Sequence, residues 1–146
     1  MIKIKTDTLY QKIALKFLKK KVKDWAFDNL DKVAVYNSHF LHNIEFNRKG
    51  IKHTIFAKTY TTKQEQINRD LLISVFHLRD LLLSAKFEGK GFIKPKNPCI
   101  KAVYVFSNKF FVDSRKYVIR IIVREVSIHA KQKNKLFFYD HSLKKL

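Results

Sequence analysis

In the segment "SRKYVIRIIVREVSIHA", residues 114–130, two kinds of side chain alternate from one position to the next. One set of alternate positions is mainly apolar and contains Tyr117, Ile119, Ile121, Val123 and Glu125. The other set mixes aliphatic and basic side chains and contains Val118, Arg120, Ile122 and Arg124. Because successive side chains of a strand point to opposite faces, this repeat predicts a strand with one apolar and one mixed face.

Two further strands are predicted on either side of this segment. Residues 100–113 (IKAVYVFSNKFFVD) precede it, with an irregularity expected near Ser107-Asn108. Residues 135–141 (KLFFYDH) follow it after an expected turn at 131–134 (KQKN). Strands joined by short connections usually pair antiparallel, so the C-terminal part of the chain predicts a three-stranded meander.

Two helices are predicted upstream of the meander. Residues 62–86 have one apolar stripe at helical spacing, formed by Ile67, Leu71, Val75, Leu78 and Leu82. Residues 8–27 combine a narrower apolar side with lysines over much of the remaining surface. These lysines indicate either a helix that follows a phosphate backbone or a solvated lysine face, and the sequence leaves both interpretations open. A helix lying on a membrane surface is a further alternative.

The region between the helices predicts short strands. Residues 32–36 and 40–46 are strand candidates, 47–50 (NRKG) reads as a turn, and 51–60 reads as a returning strand. The whole order predicts an α+β fold in which a basic N-terminal helix and a long central helix pack on an antiparallel sheet. We expect a single domain over residues 1–146, with 1–39 as a basic helical extension and 40–146 as its core.

Composition limits the classes of function. The chain of 146 residues has no run of 18 apolar residues and only one cysteine, Cys99. We therefore expect no membrane-spanning helix, no internal disulfide and no cysteine-based zinc site, in a cytoplasmic protein without a signal peptide. Lysine and arginine number 31 against 12 acidic residues, a net charge of +19. A charge of this sign attracts polyanions, nucleic acid above all.

The missing motifs favour one kind of nucleic-acid chemistry. The sequence has no glycine-rich phosphate loop and no clustered carboxylates that would hold two metal ions. A metal-free ribonuclease needs neither, because the 2′-hydroxyl of RNA attacks the adjacent phosphorus. Such an enzyme needs an acid and a base, for which histidine is suited near neutral pH, and cations that stabilise the phosphorane. We expect no metal and no cofactor.

Six histidines compete for the acid–base role. His77 has a structural explanation on the central helix, and His39, His42 and His129 have explanations as surface residues. His53, in GIKHTIF, and His141, in FFYDH, have basic or phenolic neighbours and are the preferred candidates. We expect these two histidines to lie in one cleft, and the alternative is that both are ordinary structural residues.

Arg120 and Arg124 are candidates for phosphate binding. They share a strand face with aliphatic side chains, where a cation needs a partner or a ligand. The alternative is a sheet with one solvated face that happens to carry them.

Four segments in order carry a resemblance to a known family. They are IEFNRKGIKHTI (44–55), LRDLLLSAKF (78–87), VYVFSNKFFVDSRKYVIRIIVRE (103–125) and KLFFYDHSL (135–143). This order resembles a small domain carried by large polyvalent proteins of phages and mobile elements. The fold of that domain resembles the barnase–EndoU–colicin–RelE-like nuclease superfamily. The resemblance covers about 100 residues from Leu41 onward and implies a metal-independent endoribonuclease of the toxin or phage-effector type.

The matching motifs assign candidate residues. Lys52 and His53 match the turn, and Tyr139 and His141 match the last strand. Together with Arg120 from the strand pattern, the catalytic candidates are His53, His141, Lys52, Tyr139 and Arg120. The candidates for substrate binding are Arg48, Arg124, Lys101, Arg115, Lys19 and Lys20. RNA is the expected partner, and an acidic antitoxin or inhibitor protein is a further one. The alternative function is non-catalytic binding of RNA or DNA.

Overall fold

The computed structural model describes residues 1–58, 64–92, 97–128 and 133–146 and confirms the predicted α+β class. The helices are α1 (Thr8–Lys12), α2 (Leu15–Asn29), α3 (Arg48–Phe56), α4 (Glu65–Ser74) and α5 (Leu78–Leu83), with a 3-10 turn at Val75–His77. The strands are β1 (Ile2–Ile4), β2 (Ala34–Asn37), β3 (His42–Glu45), β4 (Lys86–Lys90), β5 (Ile100–Val112), β6 (Arg115–Ile128) and β7 (Lys133–Lys145).

The seven strands form one mixed sheet. Its order is β1-β5-β6-β7-β3-β2, and β4 pairs with β5 beside β1. The predicted meander is present, because β5, β6 and β7 pair antiparallel in sequence order. The expected antiparallel pairing does not extend to the whole sheet, since β1 runs parallel to β5 and β3 parallel to β7.

Alternation along β6 separates the core from the opposite face, as the sequence predicts. Tyr117, Ile119, Ile121 and Val123 are buried against the helices. Phe106 on β5 pairs with Ile121, and Phe138 on β7 pairs with Val123, so all three long strands contribute to this layer. The mixed face of β6, which carries Arg120 and Arg124, faces away from that core and lines a pocket.

The predicted N-terminal helix is divided into α1 and α2. Arg69 on α4 donates hydrogen bonds to the carbonyls of Tyr10 and Ile13, which leaves both carbonyls satisfied at the break. Helix α2 then buries Leu18, Val22 and Ala26 at spacings of four in the same hydrophobic cluster as the sheet. Residues of the expected extension 1–39 therefore contribute to the core, and most of the α2 lysines lie on its outer side.

The predicted central helix is present as α4, the 3-10 turn and α5. Leu71, Val75, Leu78 and Leu82 are buried, so the stripe forms the contact with the sheet. Some predicted segments lie partly outside the described residues. These parts are 62–63 of the helix, 59–60 of the strand 51–60, 131–132 of the turn, and His129.

Over the described residues, the prediction of a turn at 47–50 and a strand at 51–60 is wrong, because Arg48–Phe56 is helix α3. The side chain of Asn47 accepts a hydrogen bond from the amide of Gly50 and caps the helix. Ile51 and Ile55, one helical turn apart, are both fully buried. The spacing of four between these isoleucines, with the cap, favours a helix over the period-two pattern of a strand.

Candidate active site

A pocket of about 500 Å³ opens on the sheet face opposite the helical core. Arg120, Ile122 and Arg124 from β6 line it together with Val103 and Val105 from β5. His53 reaches the pocket from α3, and Tyr139 reaches it from β7. The pocket thus combines an apolar wall with two arginines and one histidine. No carboxylate is among the described lining residues.

A β-bulge on β7 directs Tyr139 toward the pocket. In the pairing with β6, Phe138 lies opposite Val123 and Asp140 lies opposite Ile122, which leaves Tyr139 as an extra residue without a partner. An extra residue interrupts strict alternation and changes the direction of the following side chains. Phe138 and His141 therefore both face the interior although they are three positions apart.

Three flat side chains stack beside the pocket. The rings of His53 and Tyr139 lie 4.0 Å apart between centroids with an interplanar angle of 22°. The guanidinium carbon of Arg124 lies 3.2 Å from the centroid of the Tyr139 ring. Cation–π attraction and ring stacking hold both groups against the same tyrosine, so His53 and Arg124 have defined positions relative to each other.

The carboxylate of Asp140 lies between His53 and the hydrogen-bond donors Lys58 and Thr54. Its Oδ2 lies 3.6 Å from Nε2 of His53, within ion-pair distance but beyond a hydrogen bond. Its Oδ1 accepts hydrogen bonds from Lys58 Nζ at 2.5 Å and from Thr54 Oγ1 at 2.9 Å. The backbone amide of His141 also donates to this oxygen. The carboxylate is thus held by three donors and faces the histidine with its second oxygen.

Burial and nearby charges shift the pKa values of these groups. Burial lowers the pKa of His53; Asp140 opposes this shift, and the charges of Lys58 and Arg124 add to it. Burial alone would raise the pKa of Asp140, but hydrogen bonding and charge attraction from Lys58 bring it below its usual value. His53 is therefore a neutral imidazole near pH 7, beside the ionised carboxylate of Asp140 and near the cations of Lys58 and Arg124.

A family comparison adds context to this geometry. The family model of large polyvalent protein-associated domain 3 matches residues 13–139, well over half of the chain. The chain belongs to this family. The match confirms the expected polyvalent-protein context and includes α2 as well as His53, Arg120, Arg124 and Tyr139. The chain matches no curated protein and no solved structure.

His141, two residues beyond the matched range, lies in the interior and does not line the pocket. Its side chain is 1% exposed, with Nδ1 against Thr54 Oγ1 and Nε2 2.9 Å from Ser74 Oγ and 3.0 Å from the Leu71 carbonyl. Burial lowers its pKa to about 3, so the ring is neutral. The expectation that His53 and His141 share one cleft is therefore not met. The bulge and the packing of α3 and α4 over β7 place the second histidine in the core.

Several other candidates lie outside the pocket. Lys52 and Arg48 on α3 lie over the ring of Phe27 on α2, and Arg48 also pairs with Asp31 at 3.2 Å. Arg115 is paired with the fully buried Asp70 through two hydrogen bonds of 2.7 and 3.0 Å, an arrangement that joins β6 to α4. These partners give all three side chains structural contacts.

The remaining candidates are spread over the surface. Lys101 is exposed at the start of β5, and Lys19 and Lys20 lie on α2, where burial lowers the pKa of Lys19. His39 and His42 are exposed, and His77 is half-buried on the helical layer. None of these residues lines the pocket as described.

Three residues of the site are absent from the sequence-based candidates: Asp140, Lys58 and Thr54. The motif FFYDH contains Asp140, but strict alternation would place it on the face opposite Tyr139. Thr54 and Lys58 are four apart, one helical turn, and this spacing becomes informative only once residues 48–56 are recognised as a helix.

Among the described residues, no cluster of three or more His, Cys, Asp or Glu side chains is arranged to hold a metal ion. Over the same residues, no helix has both the length and the apolar character needed to cross a membrane.

Proposed function

We propose that this domain is a metal-independent endoribonuclease that cleaves RNA by attack of the 2′-hydroxyl on the adjacent phosphorus. The observation that carries the proposal is the convergence of His53, Arg120, Arg124 and Tyr139 on one pocket without a described carboxylate in its lining. DNA lacks the 2′-hydroxyl, so this chemistry would select RNA. The net charge of +19 favours the same class of partner.

His53 is the proposed general base. Its lowered pKa keeps the imidazole neutral near pH 7, so it can accept the 2′ proton as the 2′-oxygen bonds to phosphorus. Asp140 stabilises the resulting imidazolium, because its carboxylate lies 3.6 Å from Nε2. This arrangement of a base held by a third group is typical of activated catalytic sites.

The arginines and Tyr139 complete the proposed reaction. Arg120 and Arg124 stabilise the added negative charge of the phosphorane. As the bond from phosphorus to the 5′-oxygen breaks, the Tyr139 hydroxyl donates a proton to that oxygen. The products are a 2′,3′-cyclic phosphate and a free 5′-hydroxyl, and solvent returns the proton from His53 to Tyr139. His141 takes no proton in this scheme. It positions Asp140 and Thr54, because its backbone amide donates hydrogen bonds to Asp140 Oδ1 and Thr54 Oγ1.

The test is cleavage of a defined RNA in EDTA followed by analysis of the ends. We expect 2′,3′-cyclic phosphate ends, and a loss of about 10²–10⁴-fold in rate for His53→Ala, the range typical of a general base. His42→Ala is the matched control, because His42 is exposed and is not among the residues that line the pocket. Intact RNA at several pH values, or equal cleavage by wild type and His53→Ala, would contradict the proposal.

Non-catalytic binding of nucleic acid is the second candidate function. It is favoured by the interior position of His141, which leaves one described histidine at the pocket instead of two. This alternative predicts affinity for RNA or DNA that falls steeply with salt, without turnover. The two functions separate in one experiment, since only the first yields new RNA ends.

We further propose that the domain acts as a toxin or effector of a phage or mobile element, with RNA in a cytoplasm as its target. Membership in the polyvalent protein-associated family supports this context. An acidic antitoxin or inhibitor is the protein partner that the positive charge would attract.

A further inference from the structure

A second pocket of about 260 Å³ lies beside the first. The two pockets share four lining residues: Asn97, Ile100, Arg124 and Tyr139. Val126 from β6 and Phe137 from β7 form apolar parts of the second pocket, and Lys49 from α3 adds a cation. The proposed mechanism uses the first pocket only, so this space has no assigned role.

Arg124 lies at the boundary between the pockets. It is the one lysine or arginine among the described residues that lines both of them. The Tyr139 ring, 3.2 Å away, positions its guanidinium. No hydrogen bond or ion pair to Arg124 is formed within the described parts of the chain, so its N–H groups are available to a ligand. A pre-positioned guanidinium of this kind suits a phosphate.

Each pocket combines apolar side chains with a basic side chain. The first joins Val103, Val105 and Ile122 to the cation of Arg120, and the second joins Val126 and Phe137 to the cation of Lys49. Neither contains a carboxylate among its described lining residues. Apolar walls next to cations suit a base and sugar with an attached phosphate, and this composition is typical of single-strand binding surfaces.

Building on the proposed RNA-cleaving function, we propose that the two pockets hold consecutive nucleotides of single-stranded RNA, with the connecting phosphodiester on Arg124. His53 lines only the first pocket. The nucleotide that supplies the 2′-hydroxyl therefore occupies the first pocket, and the nucleotide that leaves through its 5′-oxygen occupies the second. Separate pockets require bases that are unpaired and splayed apart, which selects single strands over duplexes.

The experiment measures binding of uncleavable ligands to the full chain. The probes are the four homodinucleotides with 2′-deoxyribose on the 5′ side, each compared with its 3′- and 5′-mononucleotides. In wild type we expect the best dinucleotide to bind about tenfold or more tightly than either mononucleotide, the gain from engaging one further base. Val126→Trp fills the second pocket, so this advantage should fall to about twofold while mononucleotide binding in the first pocket persists.

Matched controls keep the result interpretable. Val118→Trp places the same side chain on the same face of β6 at a position that lines neither pocket, and it should keep the dinucleotide advantage. Lys49→Glu is a second test that leaves the core unchanged, because Lys49 is exposed, and it should also reduce the advantage. Lys109→Glu, an exposed position on β5 with the same charge change, should not.

Two outcomes would overturn the subsite assignment. One is equal affinity for dinucleotides and mononucleotides, and the other is a dinucleotide advantage that survives both Val126→Trp and Lys49→Glu. Failure of the enzymatic proposal gives a different result. A dinucleotide advantage without RNA cleavage would retain the subsites and remove the nuclease, whereas RNA cleavage without this advantage would retain the nuclease and remove the subsites.

Discussion

Tyr139 determines the geometry of the site at the scale of single residues. As the extra residue of a β-bulge, it points into the pocket, while the following His141 turns into the core. Its ring then holds His53 on α3 and Arg124 on β6. One unpaired position on β7 thus brings together side chains from three elements.

Asp140→Asn tests the coupling between the carboxylate and His53. Asp140 raises the pKa of His53 against the effect of burial, so its neutralisation should lower that pKa further. We expect the acidic limb of the pH–rate profile to move to lower pH and the maximum rate to fall, because the imidazolium loses its counter-charge. The histidine titration followed by NMR checks the shift directly, with Asp31→Asn as the control. A pKa of His53 that rises or stays constant would contradict the assignment.

The lowered pKa of His141 should make the stability of the fold depend on pH. Its folded-state pKa of about 3 lies below the usual value of 6.5, so between these values the unfolded chain binds a proton that the folded chain does not. This contribution is complete above pH 6.5 and is lost progressively as the pH falls toward 3. The free energy of unfolding should decrease by up to about 1.4 kcal/mol per pH unit in that window.

Urea unfolding between pH 4.5 and 7 measures this slope. His141→Gln should have a clearly smaller slope, although not zero, because burial also lowers the pKa values of His53 and His77. His42→Gln, at an exposed position, should retain the wild-type slope. Equal slopes for wild type and His141→Gln would show that the ring is not held neutral by burial.

At the scale of elements, the contact of α3 with β7 sets the position of His53. Helix α3 approaches the strand closely at Gly50, where an added Cβ would lie only 2.1 Å from the backbone oxygen of Phe138. A backbone atom cannot move aside as a flexible side chain can. The absence of a side chain at Gly50 therefore allows the helix to pack where His53 meets Tyr139 and Asp140.

Gly50→Ala should destabilise the fold and displace α3. Overpacking of this kind costs about 1–3 kcal/mol or more, although alanine has the higher helix propensity. Urea unfolding measures the loss, and Lys52→Ala, an exposed change on the same helix, is the control that should alter stability little. Full stability of Gly50→Ala would mean that α3 lies farther from β7.

At the scale of the whole molecule, the sheet separates a hydrophobic core from a cationic pocket. One face packs on α2, α4 and α5 in a continuous hydrophobic cluster, and the opposite face carries Arg120 and Arg124. The whole chain carries a net charge of +19. We expect long-range attraction to bring a polyanion to this surface. We expect its phosphate to bind Arg120 and Arg124, which have no ion-pair partner among the described residues.

The dependence of RNA binding on salt concentration tests whether Arg120 and Arg124 contact phosphates. The logarithm of the association constant should fall linearly with the logarithm of salt concentration, and Arg120→Ala and Arg124→Ala should each reduce the slope by about 1. Lys109→Ala removes one exposed charge outside both pockets and should change the slope less. Fluorescence anisotropy at several salt concentrations measures the slopes, and unchanged slopes for the arginine variants would exclude them as phosphate contacts.

Local patterns in the sequence predict much of this architecture. The alternation in 114–130 and the stripe in 62–86 depend only on the spacing of apolar residues, so the meander, the buried helical face and the α+β class follow from them. The face that carries Arg120 and Arg124 follows for the same reason. Net charge likewise depends on composition alone, and it indicates the class of partner without locating a site.

Only the tertiary structure decided which side chains meet. The sequence placed His53 on a returning strand and paired it with His141, because strict alternation has no signal for a bulge and a short capped helix resembles a turn. Pairing of β7 with β6 turned His141 inward, and packing of α3 at Gly50 brought His53 to Tyr139 and Asp140. A sequence repeat determines the face on which a residue lies, whereas register and close packing between distant segments determine its neighbours.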